Sequence, residues 1–299
     1  MTGLVSFALL LFSAVALPGQ DIPTVPVTDQ EGEELPPFYC PMDLDVRSYA
    51  AGKCYKCSMQ MVLGIPEPVE YRLKLSVHPK QIRPGESVDL QFEILEPGHD
   101  HRVTDFLVVH EKMFHLLFVH HELEIFRHEH PVLGEDGIFR HRTEFPKAGI
   151  YRLLTDFYPK GSTPQLIPLT LTTEGFDQGV VASRPSLQAD LEAKQADNLT
   201  IALTVDPPEP IAGQKTLLFF GLDTAQGLEK FLGAWAHMLA VSDDLVDTIH
   251  AHPTIADGGP QIQLNMIFPR PGMYRVWIQT QREGRVNTIP FTVPVKELR

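Results

Sequence analysis

Three thiols lie close together in FYCPMDLDVRSYAAGKCYKCSMQMV (residues 38–62), and Cys40, Cys54 and Cys57 are the only cysteines in the chain. Thiolates are soft ligands, so a C-x13-C-x2-C spacing offers three donors to Cu(I) or Zn(II). Met42, Met59 and Met61 add thioethers, Asp43 adds a carboxylate, and Lys53 and Lys56 favour the ionised thiol. A segment of about thirty residues cannot bury enough surface to hold itself together, so it needs a metal or a disulfide as a staple. In an exported chain a Cys54–Cys57 disulfide is the competing reading, with Cys40 left odd. A thioredoxin-type redox pair is excluded, because no βαβ pattern surrounds the thiols.

The histidines form a second set. Of thirteen, nine fall between His99 and His141. His115, His128 and His130 stand in the order H-x12-H-x-H-P, and His237, His250 and His252 repeat it. In extended chain, residues i and i+2 point to one face. His128 with His130, and His250 with His252, are therefore expected to converge beside His115 and His237, which sit in apolar strands. Three imidazoles on one face suit copper or zinc and leave a position open. The competing reading is structural, with ring nitrogens bonded to backbone carbonyls. His99, His101, His110, His120, His121 and His141 give the first half further weak donors, although His120 and His121 read as part of a solvated polar loop.

The elements that must position these groups are strands, used twice. LSVHPKQIRPGESVDLQF from Leu75 matches LTVDPPEPIAGQKTLLFF from Leu203, FPKAGIYRL from Phe145 matches FPRPGMYRV from Phe268, and IPLTL from Ile167 matches IPFTV from Ile289. Each copy alternates apolar and polar residues between Pro- and Gly-rich turns, with room for about seven short strands. The expected fold is all-β, a small Cys-rich metal-binding module followed by two immunoglobulin-like β-sandwich domains. In the FP-x-x-G-x-Y elements, Gly permits a tight turn and Tyr places its ring in the core and its hydroxyl at a corner.

The expected organisation is a signal peptide over 1–17, a linker over 18–36 and the cysteine module over 37–66. A sandwich over 67–172, a linker over 173–197 and a sandwich over 198–299 follow. The apolar run LVSFALLLFSAVAL ends in the small residues of a cleavage site and is short for a membrane span. Uncleaved, it would be an N-terminal membrane anchor. Beyond it no segment is apolar enough to span, so the mature protein is expected to be periplasmic or secreted. A net charge of −13 argues against nucleic acid or an anionic membrane as partner. No nucleophile elbow, phosphate loop or dinucleotide fingerprint is present, and no acid or base is placed beside the histidines, so no enzymatic activity is expected.

The cysteine stretch resembles the small heavy-metal-binding domain of pattern Y-x-C-P-M-H-P…G-K-C-P-K-C-G-M. That domain is found at the ends of copper-transporting P-type ATPases and of periplasmic metal-efflux adaptor proteins. Tyr39, Cys40, Pro41, Met42, Gly52, Lys53, Cys54, Lys56, Cys57 and Met59 carry the likeness. Asp43, Leu44, Tyr55 and Ser58 depart from it, and Tyr39 sits one place closer to the first cysteine. Asp43 stands where the family has a histidine, so it or a methionine would complete the ligand set. On their H-x-H-P and FP-x-x-G-x-Y elements, the sandwiches resemble copper-resistance domains of the CopC and YtkA-like type. The resemblance implies an exported protein that buffers copper, or zinc, or passes it to or from a metal transporter or efflux component. The other reading is an extracytoplasmic interaction scaffold with structural histidines and a disulfide-stapled module.

Overall fold

The computed structural model describes residues 37–41, 46–55, 58–64, 69–177, 179, 184–253 and 257–298. The expected signal peptide and first linker, together with Met42, Asp43 and Cys57, lie outside the described residues. All regular structure among the described residues is β-strand. The chain divides into two compact units, the first holding most of the cysteine stretch and the second both repeats.

In the cysteine stretch, β1 (Phe38–Tyr39) pairs with β2 (Arg47–Ser48) on one side and β3 (Val62–Leu63) on the other. The Cys40 N–H donates to Val46 O at 3.0 Å and the Met61 N–H to Gly52 O at 2.8 Å. Cys40, Cys54, Met59 and Met61 are all buried.

The first repeat has β4 (Arg72–His78), β5 (Ser87–Leu95), β6 (Phe114–His120), β7 (Phe126–Glu129), β8 (Val132–Leu133), β9 (Phe139–Glu144), β10 (Ile150–Phe157) and β11 (Gln165–Thr172). They form two antiparallel sheets of order β4-β5-β9-β8 and β11-β10-β6-β7. The second repeat has β12 (Lys194–Gln195), β13 (Thr200–Asp206), β14 (Lys215–Leu222), β15 (Leu228–Glu229), β16 (His237–Ser242), β17 (Thr248–Ala251), β18 (Gln261–Ile267), β19 (Gly272–Arg282) and β20 (Arg285–Val295). Its sheets run β12-β13-β14-β18 and β20-β19-β16-β17, with β15 added beside β19. Stripped of the short edge pieces β8, β12 and β15, both repeats show the same seven strands in the same order, an immunoglobulin-like sandwich used twice. Within the segment read as interdomain linker, β12 pairs with β13, and Asp190 exchanges backbone hydrogen bonds with Thr292 beside β20.

Alternation builds each core. In β5, Val88, Leu90, Phe92 and Ile94 point inward, and Leu218, Phe220 and Leu222 of β14 do the same. The Tyr151 hydroxyl donates to Lys147 O at 3.0 Å, and Tyr274 donates to Arg270 O at 3.0 Å, so both tyrosines close a corner as expected. Pro168 and Pro290, which cannot donate to a ladder, sit in β11 and β20 at sheet edges.

β6 and β16 are buried along their whole length, so both of their faces are covered. Phe114, Leu116 and Phe118 enter the first core, and Met238 and Ala240 the second. The opposite faces meet each other. Leu117, Val119, Leu123 and Leu154 of the first repeat pack with Leu239, Val241 and Trp277 of the second, and the Phe126 ring stacks on Trp277 at 5.3 Å. This seam docks the two repeats through equivalent sheets, and His115 and His237 lie at the starts of the strands that form it, second in β6 and first in β16.

Candidate metal centre

At the end of this seam, His110, His115, His128 and His130 of the first repeat meet His237, His250 and His252 of the second. Ring centroids of different repeats approach to 3.8 Å for His110–His252 and 5.4 Å for His128–His237. As expected from extended chain, His128 lies beside His130 and His250 beside His252, each pair 4.7 Å apart. Candidate donor atoms lie within 4.8 Å of one another in two groups. One is His115, His128 and His130, the trio read from the sequence. The other is His237, His252 and His110, with His110 of the first repeat in the place expected for His250.

Proton accounting shows what these rings present. His115 Nε2 lies 3.0 Å from Val109 O. A carbonyl only accepts, so this nitrogen carries the proton and Nδ1 keeps a lone pair. His128 is held the other way round, its Nδ1 donating to Gln279 Oε1 at 2.8 Å. The Gln279 amide is itself oriented by its Nε2, which donates to Thr288 Oγ1 at 2.9 Å. His128 Nε2 is therefore also a lone pair, and it faces His115 Nδ1 at 3.1 Å. Two lone pairs this close repel unless a cation lies against both. Two nitrogens on one tetrahedral zinc, each at about 2.0–2.1 Å, would stand about 3.3 Å apart.

A proton is a poor substitute for that cation. Burial, reinforced by His250, pushes His128 well below the ordinary imidazole range, and burial also lowers His115. Burial takes His130 down to about 3 and His110 to about 4. His237 and His252 are pushed well down for the same first reason.

The second group follows the same plan. His237 Nε2 donates to Phe231 O at 2.9 Å, leaving Nδ1 to face His252 Nε2 at 3.1 Å. His250 donates from Nδ1 to Asp156 Oδ2 at 2.9 Å, which leaves Nε2 as its second ring nitrogen. That atom is buried and has no hydrogen-bond partner among the described residues, as is also true of His110 Nε2 and His130 Nε2. Carboxylate, amide and carbonyl partners of this kind fix the tautomer and direction of metal-bound imidazoles. They cross the seam, since Gln279 of the second repeat holds His128 of the first and Asp156 of the first holds His250 of the second. In register, Asp156 pairs with His115 and Gln279 with His237, so the two devices occupy equivalent positions.

The remaining histidines serve elsewhere. His120 and His121, expected in a solvated loop, are instead buried, and their rings fill the space where a Cβ on Gly149 would stand, 2.2 Å from His120 Nε2. His120 bonds to Ala148 O at 3.2 Å and His121 Nδ1 accepts from the Ile150 N–H at 3.3 Å, which is the structural use of a ring nitrogen. His141 pairs with Glu129 at 2.7 Å, and the rings of His99 and His101 stack at 5.7 Å on an exposed turn.

Two stretches, 68–175 and 193–297, match the family model described as Domain of unknown function (DUF8832). The chain belongs to this family. The match covers each repeat in turn, so the duplication read from the sequence is a tandem of one domain type. No curated protein matches the chain. Among solved structures it is similar to FdeC, an adhesin of Escherichia coli, at 14% identity and TM-score 0.26, covering 84% of this chain and 76% of that one. It is also similar to the Yersinia pseudotuberculosis adhesin InvE, at 11% identity and TM-score 0.23, covering 74% of this chain and 58% of that one. The three N-terminal domains of the bacteriophage RB49 outer capsid protein Hoc match at 9% identity and TM-score 0.22, covering 76% of this chain and 59% of that one. Likenesses this low carry no argument about function.

Sequence reasoning missed Asp156 and Gln279 as members of the site, and named His110 only among further weak donors of the first repeat. The first two left a signal, a polar residue five places after the corner tyrosine in each repeat. His110 left none of its place in the second group. It sits on the turn closed by Val109 and Lys112, where its counterpart on the Phe231–Ala234 turn is Leu232, and both adopt positive φ, 49° and 50°.

Proposed function

We propose that the chain is an extracytoplasmic binder of copper or zinc ions, holding them in the histidine centre between its repeats and handing them to a transporter or efflux component. One observation carries this reading: His115 Nδ1 and His128 Nε2 lie 3.1 Å apart, each left as a lone pair by the hydrogen bond that its ring makes through the other nitrogen. Neutral imidazoles suit copper and zinc, and their low proton affinity means that an ion does not have to displace a proton near neutral pH. The cysteine stretch is a second, softer site in this reading. Cys40, Cys54 and Cys57 take Cu(I) or Zn(II), with Met42, Asp43 or Met59 as the remaining donor. The role is storage and transfer, without catalysis.

The test is metal content and competitive titration of the whole chain, under reducing, anaerobic conditions for Cu(I). The expected result is tight binding that falls in two steps. One portion is lost in a Cys40/Cys54/Cys57→Ser variant, and the other in a variant with both histidine trios, His115/His128/His130 and His237/His250/His252, changed to Ala. Absence of any ion held tighter than micromolar would overturn the proposal and favour the scaffold reading, with the histidines as packing.

A further inference from the structure

The two histidine groups are built so that neither repeat can complete both alone. The second group takes its third donor, His110, from a turn of the first repeat, because the second repeat has Leu232 at the matching position. Orientation also crosses the seam, from Gln279 to His128 and from Asp156 to His250. His250 adjoins both groups, its ring 4.7 Å from His252 and 5.9 Å from His128. Its side chain is 2% exposed and its Nε2 has no partner among the described residues.

We infer that these seven histidines form one coupled two-ion centre, one ion at His115, His128 and His130 and the other at His110, His237 and His252, assembled only when the repeats dock. The inference rests on the metal-binding reading and extends it to the number of ions, their interaction and their dependence on both repeats. Asp156 makes the two positions unequal. Among the described residues it is the carboxylate hydrogen-bonded to these rings, behind His250, whereas the equivalent Gln279 is neutral. A buried cation without a nearby anion is costly, so whichever ion enters second, sharing Asp156 with the ion already bound, is held more weakly.

The whole chain carrying Cys40/Cys54/Cys57→Ser, which silences the thiol site, is titrated with Cu(II) and followed by electron paramagnetic resonance. The first equivalent is expected to give an ordinary mononuclear spectrum. The second is expected to broaden it and add a half-field transition from two interacting spins. His110→Ala is expected to stop at one equivalent with no half-field signal, and His99→Ala on the exposed turn to behave as the parent. Two equivalents with additive, unbroadened spectra would overturn the coupling while leaving metal binding intact, as would a His110→Ala chain that still takes two. Failure to bind any copper would overturn the metal-binding reading itself. The parent spectrum decides the coupling even if His110→Ala does not fold.

Discussion

Asp156 and Gln279 occupy the same position in the two repeats and perform the same task, accepting a hydrogen bond from a histidine Nδ1 across the seam. They differ in charge, and a carboxylate makes its imidazole the more basic donor. Asp156→Asn keeps the shape and removes the charge, so ion affinity is expected to fall by about 10- to 100-fold with little change in fold. Competitive titration measures it, and unchanged affinity would show that His250 takes no part. At Gly149 the constraint is steric. A Cβ there would stand 2.2 Å from His120 Nε2 and 2.6 Å from His121, whereas on the equivalent Gly272 it meets nothing nearer than Asp243 Oδ1 at 3.8 Å. Gly149→Ala is therefore expected to destabilise by about 1–3 kcal/mol through overpacking, and by more than Gly272→Ala. Urea unfolding of the two variants decides it, and equal losses would mean that the two buried rings move aside freely.

Strands β6 and β16 show how much of the molecule was legible in its sequence. Alternation in SVDLQF and KTLLFF gives strands with one inward face, and the repeated Phe-Pro and Ile-Pro elements are enough to align the two copies. HLLFV and HMLAV are apolar on both faces, which signals a strand covered on both sides but does not name the cover. Docking of one repeat on the other supplies it, and with it the meeting of two trios that lie more than a hundred residues apart in the chain. His110 was legible only as a further weak donor for the same reason, since its place in the second group depends on the partner repeat and its own counterpart is a leucine. Trp277, 3% exposed and stacked on Phe126, is the largest side chain in this seam. Trp277→Ala is expected to cost about 3–5 kcal/mol, chiefly by loosening the docking and not either sandwich core. Calorimetry should then resolve the unfolding of the repeats into separate transitions. A single transition, merely shifted down, would place the loss inside one sandwich.

For the molecule as a whole, the price of collecting neutral imidazoles in a dry seam is sensitivity to acid. In the unfolded chain each histidine titrates near 6.5, whereas in the fold burial holds His110 near about 4 and His130 near about 3, and lowers His115, His128, His237 and His252. Below about pH 6.5 the unfolded chain therefore binds more protons than the folded one, and stability rises with pH. The stability of the metal-free chain is expected to be fully present above that value and to be lost progressively as pH falls toward 4. An ion bound only by the folded state adds stability, about 2.7 kcal/mol at a free concentration of 100 Kd. Because its ligands must be deprotonated, that gain is itself lost in acid, so the metal-loaded chain should show the steeper fall. The measurement is Tm from pH 7.5 to 5 with and without zinc, for the parent and for His110→Gln/His130→Gln. The glutamines keep polar volume but do not titrate there, so the double variant should flatten the metal-free profile and erase much of the zinc-dependent part. A parent profile as flat as the variant's would mean that the seam opens to water and lets its histidines charge, in which case the centre could not hold the lone pairs on which ion binding depends.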